Sequence, residues 1–163
     1  MTITVRRGGL LRIANWGAEQ VLKNIDPLLS PDLLMVLAEM GHADELAIVD
    51  ANFPAASMGK RVVRVSASST GTLEAVLTLL PLDDFVEVPA TVLEVEGAPD
   101  EVPQIVREFQ VTVDIAEGRS VKMGRIDRLA FYERTKSAFA VVATGETRLY
   151  GCILVKKGVI RPN

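Results

Sequence analysis

The sequence predicts an α/β fold in a single domain, with helices packed on a largely parallel or mixed sheet. Short apolar and β-branched runs alternate along the chain with segments whose apolar residues recur at helical spacing, and this order is typical of α/β domains. The 163 residues fit one domain of ordinary size. No repeat, linker or low-complexity segment divides the chain.

The first elements are a helix and a buried strand. Ser30, Pro31 and Asp32 supply a side-chain cap, a proline at the first helical position and an acid in the first turn. Apolar residues then follow at helical spacing, and we expect Gly41 to end the helix. The apolar run at 46–49 predicts a buried strand.

The middle of the chain continues the alternation. Pro54 and Gly59 predict a loop over 51–59, and the β-branched residues at 61–65 predict a second strand. Other patterns predict a helix at 73–80 after a polar stretch at 66–72, a strand at 90–95, a turn at 96–99, a helix near 103–109, a helix at 127–137 and strands at 139–142 and 153–155. The pattern over 111–124 is ambiguous.

Composition excludes several classes of protein. The net charge of −3 argues against a protein that binds nucleic-acid phosphates, and aromatic residues are scarce. The single cysteine, Cys152, allows no internal disulfide, which agrees with a reducing compartment. No apolar run approaches the ~18 residues of a membrane span. We therefore expect a cytoplasmic protein with no nucleic-acid or membrane partner.

The first twenty residues differ from the rest. They contain Arg6, Arg7 and Arg12 and no acid before Glu19. A secretory signal would need an uninterrupted apolar stretch of ~7–15 residues, and Arg12 interrupts the only candidate. An arginine-rich, acid-poor start is also found in transit peptides, so that alternative stays open. We expect residues 1–20 to be an extension outside the domain formed by 21–163.

Motifs for cofactors or metals are missing from the sequence. Neither familiar glycine-rich phosphate loop occurs, so nothing predicts nucleotide binding. His42 is the only histidine. It could join Asp44 and Glu45 in a metal site, but a hard cation needs more converging ligands than these. We predict no metal and no cofactor.

Four residues are candidates for a binding or catalytic pocket, and each has a structural alternative. Asp50 ends a buried strand, where ligand sites of open α/β sheets gather, although aspartate also caps turns there. Arg128 opens a helix, where the dipole disfavours a cation, and this indicates a specific partner. His42 could be a surface residue, and Tyr150 a core aromatic with a solvated hydroxyl. Taken alone, they indicate acid-base chemistry but no particular reaction.

Three stretches resemble the ribose pyranase and L-fucose mutarotase family. They are LKNIDPLLSPDLLMVLAEMGHADELAIVDANFP at 22–54, DRLAFYER at 127–134, and a segment at 138–159 that ends TGETRLYGCILVKKGV. The motif GH-x-D-E followed by a strand ending D-A-N-F-P is specific. The resemblance covers residues 21–160 and is weakest between 82 and 125. The FYER stretch and the Tyr-Gly pair favour the fucose branch.

This resemblance implies roles for individual residues. It implies that His42 is a general acid and that Asp50 and Arg128 bind the sugar. Tyr150 and Gly151 match the start of the family's Tyr-Gly-Asn segment, whereas Cys152 stands where the family has asparagine. A thiol is a weak donor and a poor acceptor, so one or two sugar hydrogen bonds should be lost or rebuilt through water.

The implied activity is cofactor-independent mutarotation of a free monosaccharide such as L-fucose, between anomers and between pyranose and furanose forms. Opening the hemiacetal needs a proton delivered to the ring oxygen and another removed from the anomeric hydroxyl, and histidine exchanges protons near neutral pH. The resemblance also implies a homo-oligomer, such as a decamer, with sites at subunit boundaries. A sugar-binding or regulatory protein without efficient turnover, and a structural subunit without ligand, remain alternatives.

We predict that deleting residues 1–20 leaves a folded and active protein, because the resemblance begins at Val21 or Leu22. The circular dichroism spectrum and the activity of the truncated chain should match those of the full chain. Aggregation of the truncated chain would instead show that the extension belongs to the core.

Overall fold

The computed structural model describes residues 22–162, so the predicted extension at 1–20 lies outside the described residues. Within the described part the chain forms six strands and five helices. In chain order they are α1 (Pro31–Glu39), β1 (Glu45–Val49), α2 (Ala55–Met58), β2 (Val62–Val65), α3 (Ser69–Leu77), β3 (Ala90–Leu93), α4 (Gln104–Glu117), β4 (Met123–Ile126), α5 (Arg128–Ser137), β5 (Ala140–Thr144) and β6 (Ile153–Lys156).

The strands form one mixed sheet in the order β2-β5-β1-β6-β3-β4. Five strands are parallel to one another, and β6 is antiparallel to its neighbours β1 and β3. The carboxyl ends of the five parallel strands therefore meet the start of β6 along one edge, which we call the carboxyl edge. The opposite edge, where β1 begins and β6 ends, is the amino edge. The predicted fold class is confirmed.

Two apolar clusters cover the two faces of the sheet. On one face, side chains of α1, α3 and α4 pack against alternate strand residues such as Leu46 and Ile48. On the other face, α2 and α5 pack against Ala47 and Val49. Successive strand residues point to opposite faces, so a strand covered on both sides must be apolar throughout. This explains why the run at 46–49 is continuous rather than alternating.

The helix predicted from Ser30 is confirmed, with a different ending. The Ser30 hydroxyl accepts a hydrogen bond from the Leu33 amide at 3.3 Å, as an N-cap should. The last helical residue is Glu39, because Met40 is already extended while its amide still bonds to Val36. Gly41, which was expected to end the helix, lies two residues beyond the last helical residue.

Two predictions for the middle of the chain were wrong in detail. The loop predicted at 51–59 contains the single turn α2, which begins after Pro54. Helix α3 starts at Ser69, four residues earlier than predicted, because the Ser68 side chain caps it through the Gly71 amide. The polar residues at its start therefore belong to the helix rather than to a preceding loop.

The ambiguous segment 111–124 contains the end of α4 and the start of β4. Val113 is buried, whereas Val111 and Ile115 are exposed, so the apolar residues of this part of α4 do not mark one face. Gly118 then ends the helix with a φ of 65°. Strand β4 lies at the edge of the sheet and is incompletely buried, so its sequence lacks the apolar run that predicts a strand.

The FYER stretch is mainly structural. Phe131 is fully buried, and its ring meets that of Phe53 edge-on at 6.0 Å between centroids. The Arg134 guanidinium bonds to the Glu45 carboxylate and, at 3.1 Å, to the Thr91 hydroxyl. These contacts fix α5 to the start of β1 and to β3.

Among residues 22–162, no helix is long and apolar enough to cross a membrane.

Candidate functional site

Asp50 and Cys152 meet at the carboxyl edge. Asp50 directly follows β1 and Cys152 directly precedes β6, and antiparallel pairing of these strands brings the two residues together. The Cys152 thiol donates to Asp50 Oδ2 at 3.3 Å, and the Asp50 amide donates to the sulfur at 3.4 Å. Asp50 Oδ1 accepts the Asn52 amide at 2.9 Å. Each carboxylate oxygen thus has one protein donor and a lone pair left for a ligand.

Cys152 is held as a neutral thiol. Only 1% of the residue is exposed, and this burial raises the pKa of the thiol well above its usual range, with the nearby Asp50 charge adding to the effect. A protonated, buried sulfur is a poor nucleophile. Its clearest role in the fold is to support the Asp50 carboxylate.

Backbone conformation and available space explain the Tyr150-Gly151 pair. Tyr150 adopts a φ of 63°, which few residues other than glycine do. A Cβ at Gly151 would lie 2.7 Å from Cγ of Glu146, so only glycine fits there. The Tyr150 hydroxyl accepts the Glu96 amide at 3.3 Å. This turn aligns the tyrosine with the loop after β3.

Arg128 has the specific partner that its position indicated. Its guanidinium lies 3.6 Å from the Glu96 carboxylate, although both side chains are more than half exposed and such a pair adds little stability. Glu96 thereby contacts both Arg128 and Tyr150. A cavity of about 300 Å³ lies beside them, lined in part by Glu94 and Leu129.

A second cavity, of about 420 Å³, lies beside Asp50. Arg64, Phe53, Ser57 and Thr144 are among the other residues that line it. Asp50 itself lines this space, although the residue is only 7% exposed. The carboxyl edge therefore offers room next to the candidate carboxylate.

A buried carboxylate braces the loop that carries Tyr150 and Cys152. Glu146 is 4% exposed and accepts four hydrogen bonds, three from Arg148 at 2.9–3.0 Å and one from the Ser69 hydroxyl at 3.5 Å. Arg148 also bonds to both carboxylate oxygens of Glu108 on α4. The backbone carbonyl of Glu146 accepts the Ala51 amide at 2.8 Å, which ties this loop to the one after β1.

Hydrogen bonding to Arg148 lowers the pKa of Glu146 to about 2, and the same guanidinium lowers the pKa of Glu108. No pattern in the sequence predicted this network, because Glu146 looked like part of a turn. Its main partner, Arg148, is only two residues away. The other two members are distant, since Ser69 lies 77 residues from Glu146 and Glu108 lies 40 residues from Arg148. No local pattern connects residues so far apart.

His42 lies at the other edge of the sheet. It precedes β1, whose five residues alone span roughly 13 Å, whereas Asp50 follows that strand. Its Nε2 lies 3.1 Å from Oδ1 of Asp83, which is 2% exposed, while the imidazole itself is 45% exposed. The structure therefore brings Asp50, Tyr150 and Cys152 together, but it does not bring His42 to them within one copy of the chain.

Asp83 is a second residue that the sequence analysis missed. Its Oδ1 also accepts the Phe85 amide at 3.1 Å, and its own amide donates to the Lys156 carbonyl at 3.0 Å. Nothing in the sequence distinguishes buried Asp83 from its neighbour Asp84, since the burial arises from the contact with the end of β6.

In the described part of the chain, no three histidine, cysteine or acidic residues cluster as metal ligands.

Comparison with known proteins identifies the family. Residues 23–160 match the family described as RbsD / FucU transport protein. The chain belongs to this family. It is 44% identical over 140 residues to an L-fucose mutarotase of Histophilus somni, covering 85% of this chain and 97% of that protein. It is 45% identical over 149 residues to a human fucose mutarotase, covering 87% and 96% of the two chains.

Solved structures agree with this RbsD / FucU membership. A fucose mutarotase from Streptococcus pneumoniae, solved in complex with L-fucose, matches with a TM-score of 0.80 and 38% identity over 86% of this chain and all of that one. Bacillus subtilis RbsD, solved with D-ribose, matches with a TM-score of 0.62 over 82% of this chain and 95% of that one, and at 20% identity it supports the fold alone. The predicted family and its fucose branch are confirmed.

The Glu146 network predicts an acid-dependent loss of stability. Because the pKa of Glu146 is lowered from 4.5 to about 2, its ionised form stabilises the fold above pH 4.5, and this contribution is lost as pH falls towards 2. Glu146→Gln should destabilise the protein at pH 7 by about 1–3 kcal/mol. It should also flatten the dependence of stability on pH below 4.5 in urea titrations.

Glu133→Gln is the matched control, since Glu133 is 71% exposed and pairs only with Lys136 on its own helix. It should leave both the stability at pH 7 and the acid dependence close to those of the unmodified protein. Equal acid dependence in the Glu146 variant and the unmodified protein would contradict the prediction.

Proposed function

We propose that this chain is a cofactor-independent mutarotase that interconverts the anomers of free L-fucose and acts in the cytoplasm. The observation that carries the proposal is the His42–Asp83 pair, because an exposed imidazole fixed by a buried carboxylate is suited to proton exchange with a small ligand. The choice of sugar is supported by the L-fucose mutarotase and the fucose mutarotase that this chain matches over nearly their whole length.

The proposed reaction opens and recloses the sugar ring. An ionised Asp83 can only accept, so His42 Nε2 carries a hydrogen and Nδ1 is the ring atom left to exchange a proton. The imidazolium delivers a proton to the ring oxygen while a solvent water accepts the proton of the anomeric hydroxyl, and the bond between C1 and the ring oxygen breaks to give the open-chain aldehyde. Ring closure on the other face of the carbonyl returns the proton. No electron or group is transferred.

The carboxyl edge would hold the sugar. Asp50 retains a free lone pair on each oxygen and can accept hydrogen bonds from two hydroxyl groups. Arg128 and Tyr150 supply a cationic donor and a phenol on the same edge, joined through Glu96. Charged hydrogen bonds of this kind orient polyols strongly. These roles for Asp50, Arg128, Tyr150, Gly151 and Cys152 are part of the proposal.

We infer that two copies of the chain complete each site. His42 and Asp50 lie at opposite ends of β1, and this separation exceeds the size of a pyranose ring. Exposed apolar side chains lie near both edges, with Ile160 at the amino edge and Leu129 and Leu149 at the carboxyl edge. Head-to-tail contact of unlike edges closes into a ring, which supports a homo-oligomer such as a decamer.

Mixing two inactive variants tests the shared site. His42→Ala and Asp50→Asn should each abolish accelerated anomer exchange, measured by saturation-transfer NMR on L-fucose. If one copy supplies His42 and its neighbour supplies Asp50, random co-assembly at equal amounts restores about one quarter of the sites. Sites contained within one copy would give no recovery.

The unmodified protein is the reference for this experiment, and each variant mixed with itself is the control. Recovery near one quarter of the reference rate supports both the reaction and the shared site. Unchanged exchange in His42→Ala would contradict the proposed acid. Binding of L-fucose without faster exchange in the unmodified protein would instead support a sugar-binding protein, the alternative that Cys152 keeps open.

Cys152→Asn tests the residue that departs from the family pattern. An amide can donate to Asp50 Oδ2 as the thiol does, and its carbonyl adds an acceptor that sulfur supplies poorly. We expect L-fucose to bind about threefold to tenfold more tightly, as one hydrogen bond of about 0.5–1.5 kcal/mol would give. Titration of both proteins with L-fucose measures this, and weaker binding in the variant would show that the pocket is adapted to cysteine.

A further inference from the structure

Phe85 is an exposed aromatic residue in a fixed position. The residue is 65% exposed, yet one contact holds its backbone and another holds its ring. Its amide donates to Asp83 Oδ1 at 3.1 Å, and the Arg161 guanidinium covers the ring at 5.4 Å while pairing with Asp84 at 2.9 Å. Ordering a large apolar side chain at the surface is unfavourable unless something packs against it.

The ring also adjoins the proposed proton-transfer group. The centroids of Phe85 and His42 are 5.3 Å apart, with the planes tilted by 58°. One oxygen holds both residues, since Asp83 Oδ1 bonds to the His42 imidazole and to the backbone amide of Phe85. A sugar that exchanges a proton with His42 must therefore pass beside this aromatic surface.

An aromatic ring cannot satisfy a sugar hydroxyl, but it packs well against carbon-bound hydrogens and methyl groups. L-Fucose is a 6-deoxy sugar, with a methyl group where L-galactose carries a hydroxymethyl group. The other proposed contacts with the sugar, from Asp50, Arg128 and Tyr150, are polar and suit hydroxyl groups. Phe85 supplies the apolar surface that these residues lack.

We propose that Phe85 selects 6-deoxy sugars by packing its ring against the methyl group at C6 of the substrate. The inference rests on the proposed function, because it assigns a specificity-determining residue to that reaction. An apolar contact with one carbon is worth about tenfold in discrimination. The unmodified protein should therefore have a kcat/KM for L-fucose about tenfold higher than for L-galactose.

Two variants separate the apolar character of the side chain from its size. Phe85→Leu keeps an apolar side chain and should retain most of the preference for L-fucose. Phe85→Gln replaces it with a polar side chain, and the ratio of the two kcat/KM values should fall about tenfold, towards one. Both sugars are measured on the same preparation, so a partial loss of assembly lowers both rates and cancels in the ratio.

Val111→Gln is the matched control, since Val111 is 57% exposed on α4 and lies in neither proposed edge of the site. Its ratio should equal that of the unmodified protein. An unchanged ratio in Phe85→Gln, or no preference for L-fucose in the unmodified protein, would overturn the inference alone. Failure of the unmodified protein to accelerate exchange of either sugar would overturn the proposed function, and the inference with it.

Discussion

The direction of β1 is the constraint on which the proposed chemistry depends. This strand is packed on both faces, with Leu46 and Ile48 on one side and Ala47 and Val49 on the other. It therefore holds His42 at one edge of the sheet and Asp50 at the other, roughly 13 Å apart or more. A fold that separates acid from carboxylate so rigidly suits catalysis only if copies associate edge to edge.

The antiparallel strand β6 makes a contact with a candidate site residue at each edge of the sheet. At the carboxyl edge its start places Cys152 against Asp50. At the amino edge its end accepts the Asp83 amide through the Lys156 carbonyl, which positions the carboxylate that holds His42. A parallel strand in this place would start at the amino edge and end at the carboxyl edge, so neither contact would form. The Glu146 network then fixes the loop before β6, so the geometry at Tyr150 does not rely on the weak exposed pair of Arg128.

Local patterns were sufficient for the elements that local interactions determine. The cap at Ser30 and the apolar run of β1 depend on neighbouring residues, and both were predicted. Strand β4 was missed because an edge strand needs no apolar run. Asp83 was missed because its partner His42 is distant in sequence, and the Glu146–Arg148 network was missed because its other members, Ser69 and Glu108, are distant too. The separation of His42 from Asp50 was implicit in the sequence, since the strand predicted at 46–49 lies between the two residues and places them at opposite edges of the sheet.

In the proposed site, the two edges divide the recognition of a sugar by chemical type. The carboxyl edge would bind hydroxyl groups through Asp50, Arg128 and Tyr150. The amino edge would supply His42 for proton transfer and Phe85 as an apolar surface. A 6-deoxy sugar has both kinds of surface, so it can match the two edges at once. Because neither edge alone provides both functions, the proposed site makes assembly of the protein and selection of its substrate depend on the same contact between copies.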